Sequence, residues 1–209
     1  METWISKRGW TGRTALTMAV CRGHGPVVQQ LIAAGANVNA IDNVGDTALT
    51  MAACRGHGPV VQQLIAAGAN VNAIDNDGNT ALTVAACRGH DSCVQKLIAT
   101  GANVEAVNRF RTTPLINAAR KGHNSCVRQM IAAGVNVDAA DNDGDTALIM
   151  AAWLGHDSCV QQLIAAGANV NAADNHGRTA LMRAVMHRHG LCVQQLTAAG
   201  ADVNAVNRV

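Results

Sequence analysis

The chain has 209 residues and is 49% hydrophobic but only 14% charged, with a mean hydropathy of +0.09. It is apolar enough to build a core and too apolar for intrinsic disorder. One Phe, three Trp and no Tyr are too few rings to fill a core or stack bases in numbers, and a formal net charge of +2 argues against a dedicated nucleic-acid binder. No apolar run approaches the ~20 residues of a membrane helix, and the start METWISKRGW lacks the apolar stretch of a signal peptide. The expected setting is the cytoplasm or nucleus, with no membrane contact.

Internal periodicity dominates the sequence. Thr14, Thr47, Thr80, Thr113, Thr146 and Thr179 recur every 33 residues, and Gly35, Gly68, Gly101, Gly134, Gly167 and Gly200 keep the same period. The units are 9–41, 42–74, 75–107, 108–140, 141–173 and 174–206, one repeat domain over 1–209. Within a unit the elements follow in order. In 141–173, Asn142, Asp143 and Gly144 signal a turn. Thr146 then precedes ALIMAAW, a packed helix of about two turns. Gly155 breaks that helix and His156 follows. Asp157 and Ser158 start a second helix, in which Val160, Leu163 and Ile164 form one apolar stripe. Gly167 ends it as a left-handed cap. Two helices this short cannot bury their apolar faces alone, so the predicted fold class is an all-α solenoid of stacked helix-turn-helix units. Paired alanines such as Ala52 and Ala53, or Ala151 and Ala152, let helices approach closely without aromatic filling.

The unit DxxGxTALxxAAxxGHxxxVxxLIxxGANVNA resembles the ankyrin repeat, in six consecutive copies sharing one register. The resemblance implies β-hairpin-like loops joining antiparallel helix pairs in a curved, L-shaped array, and a function limited to binding, most often of another protein. It also implies that hairpin residues such as Asn39, Asn72, Asn171 and Asn204 are candidate substrates for asparaginyl hydroxylation. Two departures stand out. The family's TPLH appears here as TALT, TPLI, TALI or TALM, without the His that ties turn to helix. Arg111 and Arg188 replace consensus glycines.

No residue set converges on catalysis, a cofactor or a metal. The column His24, His57, His90, His123, His156 and His189 is spaced by whole repeats, roughly 10 Å for packed helices, too far for a shared zinc. Each His is expected at the start of the second helix, bonded to the adjoining loop. The seven cysteines fall in two such columns, without CxxC, and are expected as reduced thiols acting as small apolar residues. A nucleophilic Cys beside a His within one repeat, such as Cys87 near His90, is part of the repeat pattern. Nucleotide-binding and metal-binding motifs are missing from the sequence, so no cofactor is expected.

Binding specificity is therefore sought where repeats differ. The candidate partner-binding residues are Arg55, Arg88, Phe110, Arg120, Lys121, Trp153, Leu154 and Met186. Arg22, Arg55, Arg88 and Lys121 form a basic ladder in one column; Trp153, Leu154 and Met186 make an apolar step beside it. Phe110, between Arg109 and Arg111, has the composition of a binding hot spot. The fourth repeat carries five basic residues against one acid and the fifth four acids with no base, +4 beside −4, a contrast able to steer an oppositely patterned partner. In the last repeat Arg183 and Thr197 replace apolar consensus residues, which reads as a solvent-facing cap over 174–206. Trp4 and Ile5 are available to cover the first repeat. The expected function is a monomeric, non-enzymatic scaffold that binds a protein bearing acidic and apolar groups. The alternatives are a small anionic ligand or nucleotide on the same face, or a purely structural or artificial array, the last favoured by near-identity of the first two repeats.

Overall fold

Each unit opens with a threonine whose side chain closes the first turn of a helix. The computed structural model describes residues 12–207. Thr14, Thr47, Thr113, Thr146 and Thr179 are extended at ψ 163–169° and accept from the backbone N–H three residues on, a cap typically contributing about 1 kcal/mol. The position of the family's missing His is Thr50 in the second repeat and Thr83 in the third. Their hydroxyls accept from Thr47 N–H at 3.0 Å and Thr80 N–H at 3.2 Å. A hydroxyl thus ties turn to helix there, whereas Ile116, Ile149 and Met182 have no polar atom to do so.

The helices are α1 (Ala15–Cys21), α2 (Gly25–Ala33), α3 (Ala48–Arg55), α4 (Gly58–Ala66), α5 (Ala81–Arg88), α6 (Asp91–Ala99), α7 (Pro114–Arg120), α8 (Asn124–Ala132), α9 (Ala147–Leu154), α10 (Asp157–Ala165), α11 (Ala180–Met186) and α12 (Gly190–Ala198). Isolated antiparallel bridges, Ile41 with Thr47, Ile74 with Thr80, Ala140 with Thr146 and Ala173 with Thr179, close the intervening turns. The contacts divide the chain into two units, 1–85 with 92–103 and 86–91 with 104–209. In the first, α1 packs on α2 and α3, α3 on α4, and α2 on α4. In the second, α7 packs on α8 and α9, α9 on α10 and α11, α11 on α12, α8 on α10, and α10 on α12. The core is Leu, Val, Ile and Ala, with Leu49, Leu82, Leu115, Leu148, Ala118 and Ala151 all buried. None of the described helices is long and apolar enough to cross a membrane.

The histidines act between repeats rather than within their own loop. His123, His156 and His189 each precede a second helix and make no side-chain cap. Their Nε2 atoms lie 3.3, 3.2 and 3.1 Å from the carbonyl oxygens of Cys87, Arg120 and Trp153, 36 residues earlier, so each ring donates to the end of a first helix in the preceding repeat. The ring rests on the glycine ending that segment: a Cβ at Gly122 would come within 2.6 Å of His156, and Gly122 has φ +71°. Side chains in the cysteine column form a second tie. Cys126, Cys159 and Cys192 donate to Asp91, Asn124 and Asp157 at 3.0, 2.9 and 2.9 Å.

Arg183 is not a solvent-facing cap residue. It is only 5% exposed. Its Nη2 lies 2.8 Å from Asp174 Oδ2 and 3.5 Å from Asp145 Oδ1, and its guanidinium sits 4.3 Å from the Trp153 ring centroid. A charge in an apolar column is tolerated because two carboxylates and an aromatic face replace its water. Thr197, by contrast, is exposed as expected. Trp4 and Ile5 lie outside the described residues. Arg111 and Arg188 adopt the left-handed backbone of the glycines they replace, at φ 57° and 61°.

Burial pushes the Asp145 carboxyl up to about 6; Arg183 opposes this, and Asp141 and Asp174 add to it. Asp174 is also penalised by burial, but N–H groups of Arg178 and His176 and the Arg178 side chain hold it below the usual carboxylate range. The folded chain therefore binds the Asp145 proton more tightly than the unfolded chain does. Stability of the second unit is predicted to rise as pH falls from 7 towards 5, and D145N to flatten that rise, measured by urea unfolding at each pH. Two further variants test the backbone. R111G should stabilise by about 0.5–1 kcal/mol, and G122A should destabilise by about 1–3 kcal/mol, both read from the denaturation midpoint.

Candidate functional site

The end of the first helix is one of the places where repeats diverge, and in the second unit that divergence builds a cleft. Arg120 ends α7 and Lys121 is its cap residue. Trp153 and Leu154 end α9, which Gly155 stops at φ 72°. With Met150 and His156 these four side chains line an open cleft of about 630 Å³. Four candidate residues thus meet in one place.

The floor of the cleft is apolar and its rim cationic. Met150 is buried, Trp153 half-buried and Leu154 exposed. The Trp153 indole is held from behind by Arg183, and the His187 ring is 6.1 Å away. Such packing fixes an aromatic that keeps one part of its surface open. Lys121 is exposed. Arg120 donates from Nη2 to Asn117 Oδ1 at 3.2 Å, but its buried Nε has no hydrogen-bond partner. Two cationic side chains beside aliphatic and aromatic ones suit a carboxylate or phosphate attached to an apolar group.

The remaining candidates are placed differently. Phe110 is 52% exposed at a turn tip, with the Arg109 guanidinium 4.7 Å from its ring centroid. Arg88 is half-buried at the end of α5, and Arg55 is exposed at the end of α3 in the first unit. Met186 lines another cleft of about 410 Å³ with Met182, Val185 and Val203. Two of the four acids of the fifth repeat are engaged by the sixth: Asp145 by Arg183, and Asp157 by Cys192.

The side-chain chemistry gives little to catalysis. Burial raises the Cys93 and Cys159 thiols to about 11, Lys96 slightly opposing the first. Burial, reinforced by Asp157, raises Cys192 to about 12. These thiols stay protonated at neutral pH and act as small donors. Asp141, Asp143 and Asp145 bring carboxylate oxygens within 4.8 Å of one another. Asp141 Oδ1 already accepts the N–H groups of Asp143 and Asp145, both at 3.0 Å. Asp42 and Asp174 make the same turn bonds, so this arrangement belongs to turn formation.

The sequence reading missed Arg183 as support for Trp153. A signal existed: the two are 30 residues apart, the separation at which Cys21 Sγ donates to Met51 Sδ at 3.4 Å across another repeat junction.

Comparison with known proteins agrees with this geometry. The family described as "Ankyrin repeats (3 copies)" matches residues 16–108, 96–174 and 115–207. The human ASB11 ankyrin repeat domain is similar at TM-score 0.86 and 29% identity, over 93% of this chain and 87% of that one. An ankyrin repeat domain from Acinetobacter baumannii AYE gives TM-score 0.82 and 35% identity, over 90% and 98%. The ankyrin repeat domain of Bcl-3, described as a unique member of the IkappaB family, gives 0.84 and 31%, over 94% and 90%. No curated protein sequence matches the chain. The repeats, the helix pairs and these matches together show that the chain belongs to the ankyrin-repeat family and folds as its all-α solenoid.

Proposed function

We propose that the chain is a non-enzymatic protein-interaction module, and that the cleft around Trp153 receives a partner segment carrying an acidic group next to a bulky apolar one. Ankyrin repeats are generally protein-interaction modules. The observation that supports this particular surface is that Arg120 and the exposed Lys121 line one cleft with Met150, Trp153 and Leu154. The half-buried indole supplies a rigid apolar anchor; Arg120 and Lys121 supply charge, and Arg88 and Phe110 extend the contact. Met186 contributes from the last repeat as a peripheral contact, and Arg55 is proposed as a separate contact on the first unit.

The test is affinity capture with the full chain, followed by titration of the retained partner. W153A and K121A should each weaken binding, on the order of tenfold or more for the tryptophan, with unchanged helical content. Unchanged affinity in both variants contradicts the assignment. Salt-dependent thermal stabilisation by nucleotides, with no protein retained, favours a small anionic ligand in the same cleft.

A further inference from the structure

Each junction between repeats joins a leading face of one repeat to a trailing face of the one before it. The leading face is marked by contacts reaching back: Met51 to Cys21, Arg183 to Trp153, and Cys192 to Asp157. Among the described residues, the first repeat leaves this face open. Met18 is 42% exposed and Val27 43%, whereas the residues at both positions in all five later repeats are buried. Among the described residues, the last repeat leaves the complementary face open. Val185 is 57% exposed, whereas Val20, Ala53, Ala86, Ala119 and Ala152 at the same position are buried. Beside it lies the apolar cleft lined by Met182, Val185, Met186 and Val203.

We propose that the trailing face of the last repeat docks the leading face of the first repeat of a second copy, head to tail. The sequence supplies the match. Only the first and last repeats carry Val in the column that is otherwise Ala, as Val20 and Val185; both also have Gly where the second helix begins, Gly25 and Gly190, a feature shared with Gly58 of the second repeat. The trailing face of the last repeat therefore reproduces that of the first at these positions. The first repeat's trailing face is covered by the second repeat, through Met51 and Val60. Residues 14–41 and 47–74 are identical except at Val20 and Ala53. The first repeat of another copy thus presents the same covering face, through Met18 and Val27. The hairpins match as well. Asn39 accepts from the Asn70 N–H at 2.8 Å, and Asn204 and Asn37 hold the corresponding acceptor and donor.

Two features weaken this junction relative to an internal one. Cys21, which donates to Met51, is replaced by Met186 in the last repeat. A Cβ at Gly23 would lie 2.8 Å from the His57 ring, and Arg188, at the Gly23 position of the last repeat, has that Cβ. His24 of the second copy must turn aside, and it is exposed enough to do so. The association is accordingly concentration-dependent. Being heterologous, it leaves one face of each kind free after two copies join, so that further copies can add. The sequence reading expects a monomer; these two open faces are the ground for expecting otherwise.

Sedimentation of the full chain from about 1 μM to about 1 mM tests it. The wild-type mass should rise above 21.6 kDa with concentration, and R188G should associate at about tenfold lower concentration. V185E and M18E change exposed residues and should each remain monomeric alone. Mixed, they should form a one-to-one dimer and stop, because V185E keeps its leading face and M18E its trailing face. Three results overturn the proposal: a wild-type chain monomeric throughout, either variant associating alone as the wild type does, or a mixture that stays monomeric where the wild type associates.

Discussion

The interface between successive repeats is the constraint from which the rest of the structure follows. A pair of helices seven to nine residues long has too little interior to bury its own apolar side chains, so each pair relies on its neighbour. That demand dictates the alanines, which allow close approach, and the aliphatic cores such as Leu148 and Leu163. It also dictates the polar ties. The His rings reach back 36 residues to a carbonyl, and the Cys thiols reach back 35 residues to a carboxylate or amide. Because each tie spans a junction, the fold is specified by relations between repeats as much as by the contents of one.

Conformity at the junctions leaves the helix ends and turn tips open to variation. The chain uses that latitude unevenly. At the end of the first helix, the second and third repeats keep Cys and Arg, as at Cys54 and Arg55, while the fourth changes to Arg120 and Lys121 and the fifth to Trp153 and Leu154. The cleft arises because adjacent repeats place a cationic pair and an apolar pair side by side. Behind it, the sixth repeat has exchanged an apolar core residue for Arg183, and that charge braces the indole from within the core. A substitution in one repeat thus prepares a surface displayed by another.

Much of this was legible in the sequence. The 33-residue period, the threonine helix starts, α10 beginning at Asp157 and the glycine after it at φ 82° all follow from local rules of capping and patterning. The grouping of Arg120, Lys121, Trp153 and Leu154 was legible too, because equivalent columns lie side by side. Contacts that cross a junction with an offset were not. Arg183 read as a solvated cap because its partners Asp145, Asp174 and Trp153 are 38, 9 and 30 residues away, a geometry visible only once the stacking offset is known. The histidines were misassigned for the same reason: their acceptors lie one repeat and three residues back. Arg111 and Arg188 show the reverse case. The fold kept its left-handed turns and imposed them on residues that disfavour them.

The central claim is that the Trp153 cleft is where a partner is held. Its most direct test is the fluorescence of Trp153 in a chain with W4F and W10F, which leave it as the sole tryptophan. The retained partner is titrated in while quenching by acrylamide is followed. The account predicts that the open part of the indole becomes shielded in step with binding. Quenching that stays the same in the saturated complex would contradict it.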